Sequence, residues 1–148
     1  MRLASALILA LPGVVLGACG TPDIASSSGK ARFAEYPDSL IAALQSTCNG
    51  PAQTFRRPTP ESVECREYLP PEPTAAIILT YGGIPEDLPQ LVIRFRTRAD
   101  APGYLVENEV FLNVPQKSGP PLKVRQQDPR LNRELDALYT RAGGVPEP

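Results

Sequence analysis

The chain has no histidine, no tryptophan, one methionine and three cysteines in 148 residues. Without histidine, a Ser-His-Asp relay, a Cys-His pair and any His-ligated metal are excluded. Lysine is scarce as well, found only at Lys30, Lys117 and Lys123. A Ser-Lys nucleophile therefore has little to draw on, and Lys117 beside Ser118 reads as a turn pair without chemistry. Gly82-Gly83 lacks the Lys and following Ser or Thr of a phosphate loop, so no nucleotide site and no cofactor are indicated. A charge excess is missing too: 15 basic against 16 acidic residues give a formal charge of -1, which supplies no global field for nucleic acid. The length fits one ordinary domain with a short appendage. Proline, in contrast, is abundant at 18 residues, so long connections and stiff extended segments are expected.

The N-terminus carries an address. Arg2 precedes an apolar run from Leu3 to Leu16, interrupted by Pro12-Gly13 and shorter than the ~20 residues a helix needs to cross a bilayer. This is a secretory signal pattern. The run ends Leu16-Gly17-Ala18-Cys19, an aliphatic residue and two small ones ahead of a cysteine. In these four positions the chain resembles the bacterial lipoproteins, whose lipobox has this form. The resemblance covers only the leader. It implies cleavage before Cys19, a diacylglycerol on the Cys19 sulfur and acylation of the new amino group, an arrangement that anchors stably where one chain would be marginal. Gly20, where an Asp would signal retention at the cytoplasmic membrane, resembles the outer-membrane sorting class. The implied location is the outer membrane with the domain facing the periplasm, or otherwise the outer leaflet of the cytoplasmic membrane. The alternative is ordinary cleavage that leaves Cys19 as an odd thiol.

In an exported chain the remaining pair, Cys48 and Cys65, suggests a single disulfide, against two buried free thiols. The chain then divides into a signal peptide (1–18), a lipid-attachment and tether segment rich in Ser, Gly and Ala (19–34), and one domain (35–145). Pro37-Asp38-Ser39 signals the start of a helix, with Leu40, Ile41, Leu44 and Cys48 on one face and Asn49-Gly50-Pro51 as its stop. Gln53 to Pro73, with five prolines, reads as a loop tied by Cys65. Within it, Pro70-Pro71-Glu72-Pro73 reads as a stiff lead-in or a polyproline II ligand. The apolar centre of Thr74 to Tyr81 predicts a strand covered on both sides. Gly82 to Pro89 is a broad turn.

Beyond that turn the pattern sharpens. Leu91, Ile93, Phe95 and Thr97 alternate with Val92, Arg94, Arg96 and Arg98, and Tyr104 to Val114 repeats the period with Glu107 and Glu109 on its charged face. An antiparallel hairpin that opposes Arg96 to Glu107 and Arg94 to Glu109 also opposes Ile93 to Val110 and Leu91 to Leu112. One register satisfies both faces. Leu122 to Arg125 reads as a short edge strand, and Asp128-Pro129 opens a last helix with Leu131, Leu135, Leu138 and Ala142 on one stripe, ended by Gly143-Gly144. The fold expected is α+β in two layers: an antiparallel meander sheet of three to four strands, with an N-terminal and a C-terminal helix packed on one face.

For function, the row Arg94, Arg96 and Arg98 places three guanidinium groups on one sheet surface. There they either grip an anionic partner or form a cross-strand ladder with Glu107 and Glu109. Ile84 and Leu88, in the turn before this strand, are the companion candidates for partner contact, and Phe55 is a third apolar residue of the loops. Paired carboxylates at Glu61 with Glu64 and Glu86 with Asp87 are the only footing for an enzyme, a glycan hydrolase working with two acids. The favoured expectation is a non-catalytic binding or adaptor module. Its partners are the membrane, through its lipid, and another envelope protein, with no nucleic acid and no metal; a small-ligand carrier is the remaining alternative.

Overall fold

The computed structural model describes residues 29–125 and 128–147. The leader, Cys19 and the tether up to residue 28 lie outside the described residues. In chain order the elements are β1 (Lys30–Phe33), α1 (Asp38–Thr47), β2 (Gln53–Thr59), β3 (Ser62–Tyr68), α2 (Pro71–Tyr81), β4 (Gln90–Asp100), β5 (Gly103–Val114), β6 (Leu122–Arg125), α3 (Pro129–Arg141) and β7 (Val145–Glu147). The fold is α+β. Its sheet is antiparallel, with seven strands in the order β2-β3-β4-β5-β1-β7, and β6 joins β5 beyond β1 on the same side.

The β4–β5 hairpin has the register that its sequence requires: Arg94 opposes Glu109, Arg96 opposes Glu107, Ile93 opposes Val110 and Leu91 opposes Leu112. Alternation places Phe95 and Thr97 on one face and Arg94, Arg96 and Arg98 on the other. The tight β4–β5 connection passes through a cis Ala101-Pro102 bond to Gly103. A side chain at Gly103 would run into the carbonyl of Phe33, so the close approach of β1 requires glycine there.

The core lies on the Phe95 face. Leu40, Ile41 and Leu44 of α1 and Leu135 and Tyr139 of α3 bury themselves against Ala31, Phe33, Val63, Phe95, Val106 and Val110. The N-terminal and C-terminal helices thus share one hydrophobic cluster, each buried aliphatic side chain contributing roughly 1.5–3 kcal/mol. The α3 N-cap works as the sequence implies, with the Asp128 carboxylate accepting from the Arg130 backbone N–H at 2.8 Å. At α1 it does not: no side chain caps the helix, and Ser39 Oγ instead donates to the carbonyl of Ala142, tying the start of α1 to the end of α3. Cys48, just past α1, is bonded to Cys65 of β3 across a separation of 17 residues. Closing a loop of that size restricts the unfolded chain by about 3 kcal/mol.

Several expectations are corrected. The sheet has seven strands rather than three or four, because three segments read as irregular are strands and one read as a strand is a helix. Lys30–Phe33, assigned to the tether, is β1, inserted between β5 and β7. Gln53 to Tyr68, read as loop, is the β2–β3 hairpin, whose pairing is irregular between Arg56 and Thr59. Val145–Glu147, at and beyond the expected domain end, is β7. Thr74 to Tyr81, read as a buried strand, belongs to α2. Its helical stripe, Thr74, Ile77, Ile78 and Tyr81, is the protected side, while Leu79 between them is 85% exposed. Pro71 and Pro73 fall in the first turn of α2, where a missing N–H costs nothing, and Gly82 ends it in the left-handed conformation at φ 67°. The segment expected to be a lead-in or polyproline II ligand is therefore a helix start.

Candidate functional site: the charged face of the sheet

On the face turned away from α1 and α3, β3, β4 and β5 bring together side chains of opposite sign. The centre is Glu64 of β3, which lies between Arg94 across the ladder on β4 and Arg66 two residues along its own strand. Its side chain is only 1% exposed. One carboxylate oxygen accepts from Arg66 Nε at 2.7 Å; the other accepts from Arg94 Nε and Nη2 at 3.0 and 2.8 Å. Burial alone would push the Glu64 carboxyl above its ordinary pKa, but the hydrogen bonds from Arg94 and Arg66, reinforced by their charges, outweigh it and hold the group below. Glu64 is a fixed anion.

Arg94 is held from further directions. Its guanidinium lies 5.0 Å from the ring centroid of Phe111, which Lys123 of β6 approaches at 5.1 Å. Cations thus flank the ring, and Phe111 is 2% exposed although it stands on the charged face. Glu109 of β5 gathers the next shell, with Arg96 Nη2 at 3.5 Å, Arg94 Nη1 at 3.8 Å and Arg125 Nη2 at 3.4 Å. Towards the β4–β5 turn, Asp100 pairs with Arg98 at 3.6 Å and with Arg32 of β1 at 3.1 Å, while Arg32 Nε reaches Glu147 of β7 at 2.9 Å. Lys30 pairs with Glu107 at 3.2 Å. These ion pairs fall into three sets that together span β3, β4, β5, β6, β1 and β7.

The strand register places Arg96 opposite Glu107 as expected, yet its ion pair runs diagonally to Glu109, and Glu107 is taken by Lys30 instead. The arginine row itself is uneven: Arg94 is largely buried in its ion pairs, whereas Arg96 and Arg98 extend into solvent. Ile84 and Leu88 do not join this face. Both lie in the connection from α2 to β4, Ile84 half-buried and Leu88 exposed, and Leu88 precedes the end of β4 opposite to Arg98. At ~3.4 Å per residue Gln90, which opens β4 next to that connection, and Arg98 are about 27 Å apart. Phe55 is no exposed loop residue: on β2, opposite Cys65, it packs against the core.

The acid pairs do not form an apposed set. Glu61 is exposed in the β2–β3 turn while Glu64 is buried in ion pairs, and Glu86 and Asp87 are exposed in the α2–β4 connection. A hollow of about 370 Å³ lies beside β1, β7 and the β4–β5 turn, lined by Phe33, Ala34, Pro102, Gly103 and Val145, with Arg32 and Glu147 at its rim. Those two charged groups are already bonded to each other, so they do not converge on a guest. Among the described residues no group of three or more His, Cys, Asp or Glu could hold a metal ion, and no helix is long and apolar enough to cross a membrane.

Sequence reasoning missed Glu64 as the anion of the arginine row. The signal was there in Val63-Glu64-Cys65-Arg66, two apolar residues alternating with two charges, but the surrounding prolines argued for a loop. No family model matches the chain, and no curated protein or solved structure matches it.

Proposed function

We propose that this is a lipid-anchored protein of the bacterial cell envelope that works by binding: an adaptor or assembly module attached through Cys19 to the outer membrane, facing the periplasm. The observation that carries the binding reading is the layered charge on the sheet face left open by α1 and α3. Its carboxylates are committed to neighbouring bases, while Arg96 and Arg98 present their guanidinium groups outward. A glycan hydrolase needs one acid protonated at working pH; Glu64, the one buried member of the acid pairs, is held ionised by two arginines, which argues against that role. The Cys48–Cys65 disulfide suits an oxidising compartment. Anchoring rests on the resemblance of Leu16-Gly17-Ala18-Cys19 to the lipobox.

Two measurements test the reading. Mass spectrometry of the N-terminal peptide of protein recovered from cells should find Cys19 as the first residue and acylated; an unmodified Cys19 with its leader attached would overturn the anchor. Crosslinked pull-down from membranes should capture the envelope component, protein or lipid, that the charged face holds, and a capture unaffected by Arg96→Gln with Arg98→Gln would remove the charged face from the binding role. Glycan turnover abolished by Glu61→Gln would replace the adaptor with an enzyme.

A further inference from the structure

The charges on the open face are sorted by height as well as by sign. Its acids are low: the side chains of Glu64, Glu109, Asp100, Glu147 and Glu107 are 1%, 28%, 31%, 34% and 37% exposed. Its outermost groups are basic, with Arg96, Arg98 and Arg125 at 54%, 57% and 79%. An approaching surface meets guanidinium N–H donors first, with the neutralising carboxylates beneath them. Most of the contacts that hold Arg96, Arg98 and Arg125 are long, 3.4 to 3.6 Å, and exposed pairs of this kind are worth little. These three groups can take up an anion at small cost, and their planar fork suits phosphate oxygens.

The chain enters the fold beside this face. Gly29, whose carbonyl accepts from the Asn108 backbone N–H at 2.7 Å, leads into Lys30, which pairs with Glu107 on the charged side. Nine residues lie between Cys19 and Gly29, ten steps along the chain and a reach of at most ~35 Å when fully extended. That is comparable to the length of β5, so a lipid on Cys19 cannot carry the domain far from the bilayer. Short tethering of this kind raises the effective concentration of the nearby membrane surface at the face.

From this layering and the short reach we infer that the sheet face docks flat on the anionic headgroups of the membrane that holds the chain, Arg96, Arg98 and Arg125 engaging headgroup phosphates. The inference deepens the proposed function by naming the partner of its charged face, and its tether argument rests on the anchored reading. The contact is electrostatic and reversible. It orients the domain, leaving the helical layer turned away from the bilayer.

The test is co-sedimentation of the chain from residue 19 onward, produced without its leader and with Cys19→Ser so that neither leader nor acyl chain contributes, with vesicles of phosphatidylcholine alone or containing one third phosphatidylglycerol. Binding is expected only to the anionic vesicles and should weaken on going from 50 to ~300 mM salt. Arg96→Gln, Arg98→Gln and Arg125→Gln together should lower the anionic-vesicle affinity at least ten-fold, since each base near an anionic leaflet adds to the attraction. Glu107→Gln should move it the other way, a gain that misfolding would not produce, and a thermal melt of each variant checks the fold. Binding that ignores lipid charge, or that survives the triple substitution unchanged, overturns docking, as does equal displacement by millimolar inorganic phosphate and by chloride of matched ionic strength with no effect of the arginines. The mass of the Cys19 peptide from cells reports separately on the anchor, so that an unmodified Cys19 with intact arginine-dependent binding would sink the anchor and leave docking standing.

Discussion

Along β4 adjacent residues live in different chemistries: Phe95 and Thr97 face a dry layer closed by α1 and α3, while Arg94 and Arg96 face a lattice of ion pairs. Both faces hold fully buried side chains, Phe95 on one and Glu64 on the other. On the helical face burial is favourable in itself, because apolar area leaves water. On the charged face it is favourable only conditionally, since Glu64 is tolerated through three hydrogen bonds from two arginines. The first face supplies stability. The second specifies which strand lies beside which, because a one-residue slip of β3 against β4 would strand a buried carboxylate.

The largest effect should come from breaking that condition. Glu64→Gln leaves Arg94 buried with only the distant Glu109 as counter-charge and should cost about 3–5 kcal/mol in urea unfolding. The same asymmetry predicts acid lability. The folded pKa of Glu64 lies below its ordinary 4.5, so the unfolded chain binds the proton more readily. The stability that Glu64 contributes is present above that value and is lost as pH falls through the folded pKa. Unfolding free energy should therefore fall below about pH 4.5, and the Gln variant should lack that part of the decline. If wild type and variant track each other in acid, the clamp is not what holds this face.

Next comes the helical face. Leu44→Ala in α1 should cost about 3 kcal/mol with little change in the denaturant slope, as for a cavity in a close-packed layer. Tyr139→Phe sharpens the comparison, because Tyr139 is a polar group inside the apolar layer. Its hydroxyl accepts from Asn108 Nδ2 at 2.9 Å and donates to the Gly29 carbonyl at 3.4 Å, and burial holds its pKa well above that of a free tyrosine. Losing the hydroxyl should cost about 1–2 kcal/mol in the same measurement, most of it from the unpaired amide left behind. The smallest effect should be Arg98→Gln, within about 0.5 kcal/mol, since its ion pair with Asp100 is exposed. A loss comparable to that of Leu44→Ala would mean that the outer charges are structural after all.

The same contrast explains what could be read in the residues themselves. The β4–β5 hairpin was legible with its register because both faces carry unambiguous signals, apolar on one and opposite charges on the other. α3 was legible from its punctuation, Asp128, Pro129 and the closing glycines. The β2–β3 hairpin was not, because Pro58 and Pro60 interrupt a pattern whose charged members are buried only by virtue of partners on β4. β1 and β7 are too short to show any period, and their pairing depends on long-range contacts. α2 was misread because Ala75 to Leu79 is apolar on all sides; only Thr74, Ile77, Ile78 and Tyr81 at helical spacing, with Pro before and Gly after, separate it from a buried strand. Of the candidate site, Arg94, Arg96 and Arg98 fall on one face as their spacing implies, but their buried counter-ion Glu64 lies in a stretch that reads as a loop and pairs there with Glu61.

The position of β1 between β5 and β7 has a consequence for how the molecule is made. β1, the earliest strand among the described residues, has its outer edge sealed by a strand more than a hundred positions further along the chain, so the sheet stays open on that side until β7 has been made. A chain cut short after α3 would present the bare rim of Lys30–Phe33 to any neighbouring polypeptide, its other edge still bonded to β5 and Ala31 and Phe33 still in the core. The proline at the centre of Val145–Glu147 then acts as a stopper: it offers no amide proton for a further strand, and among the described residues the stack ends there.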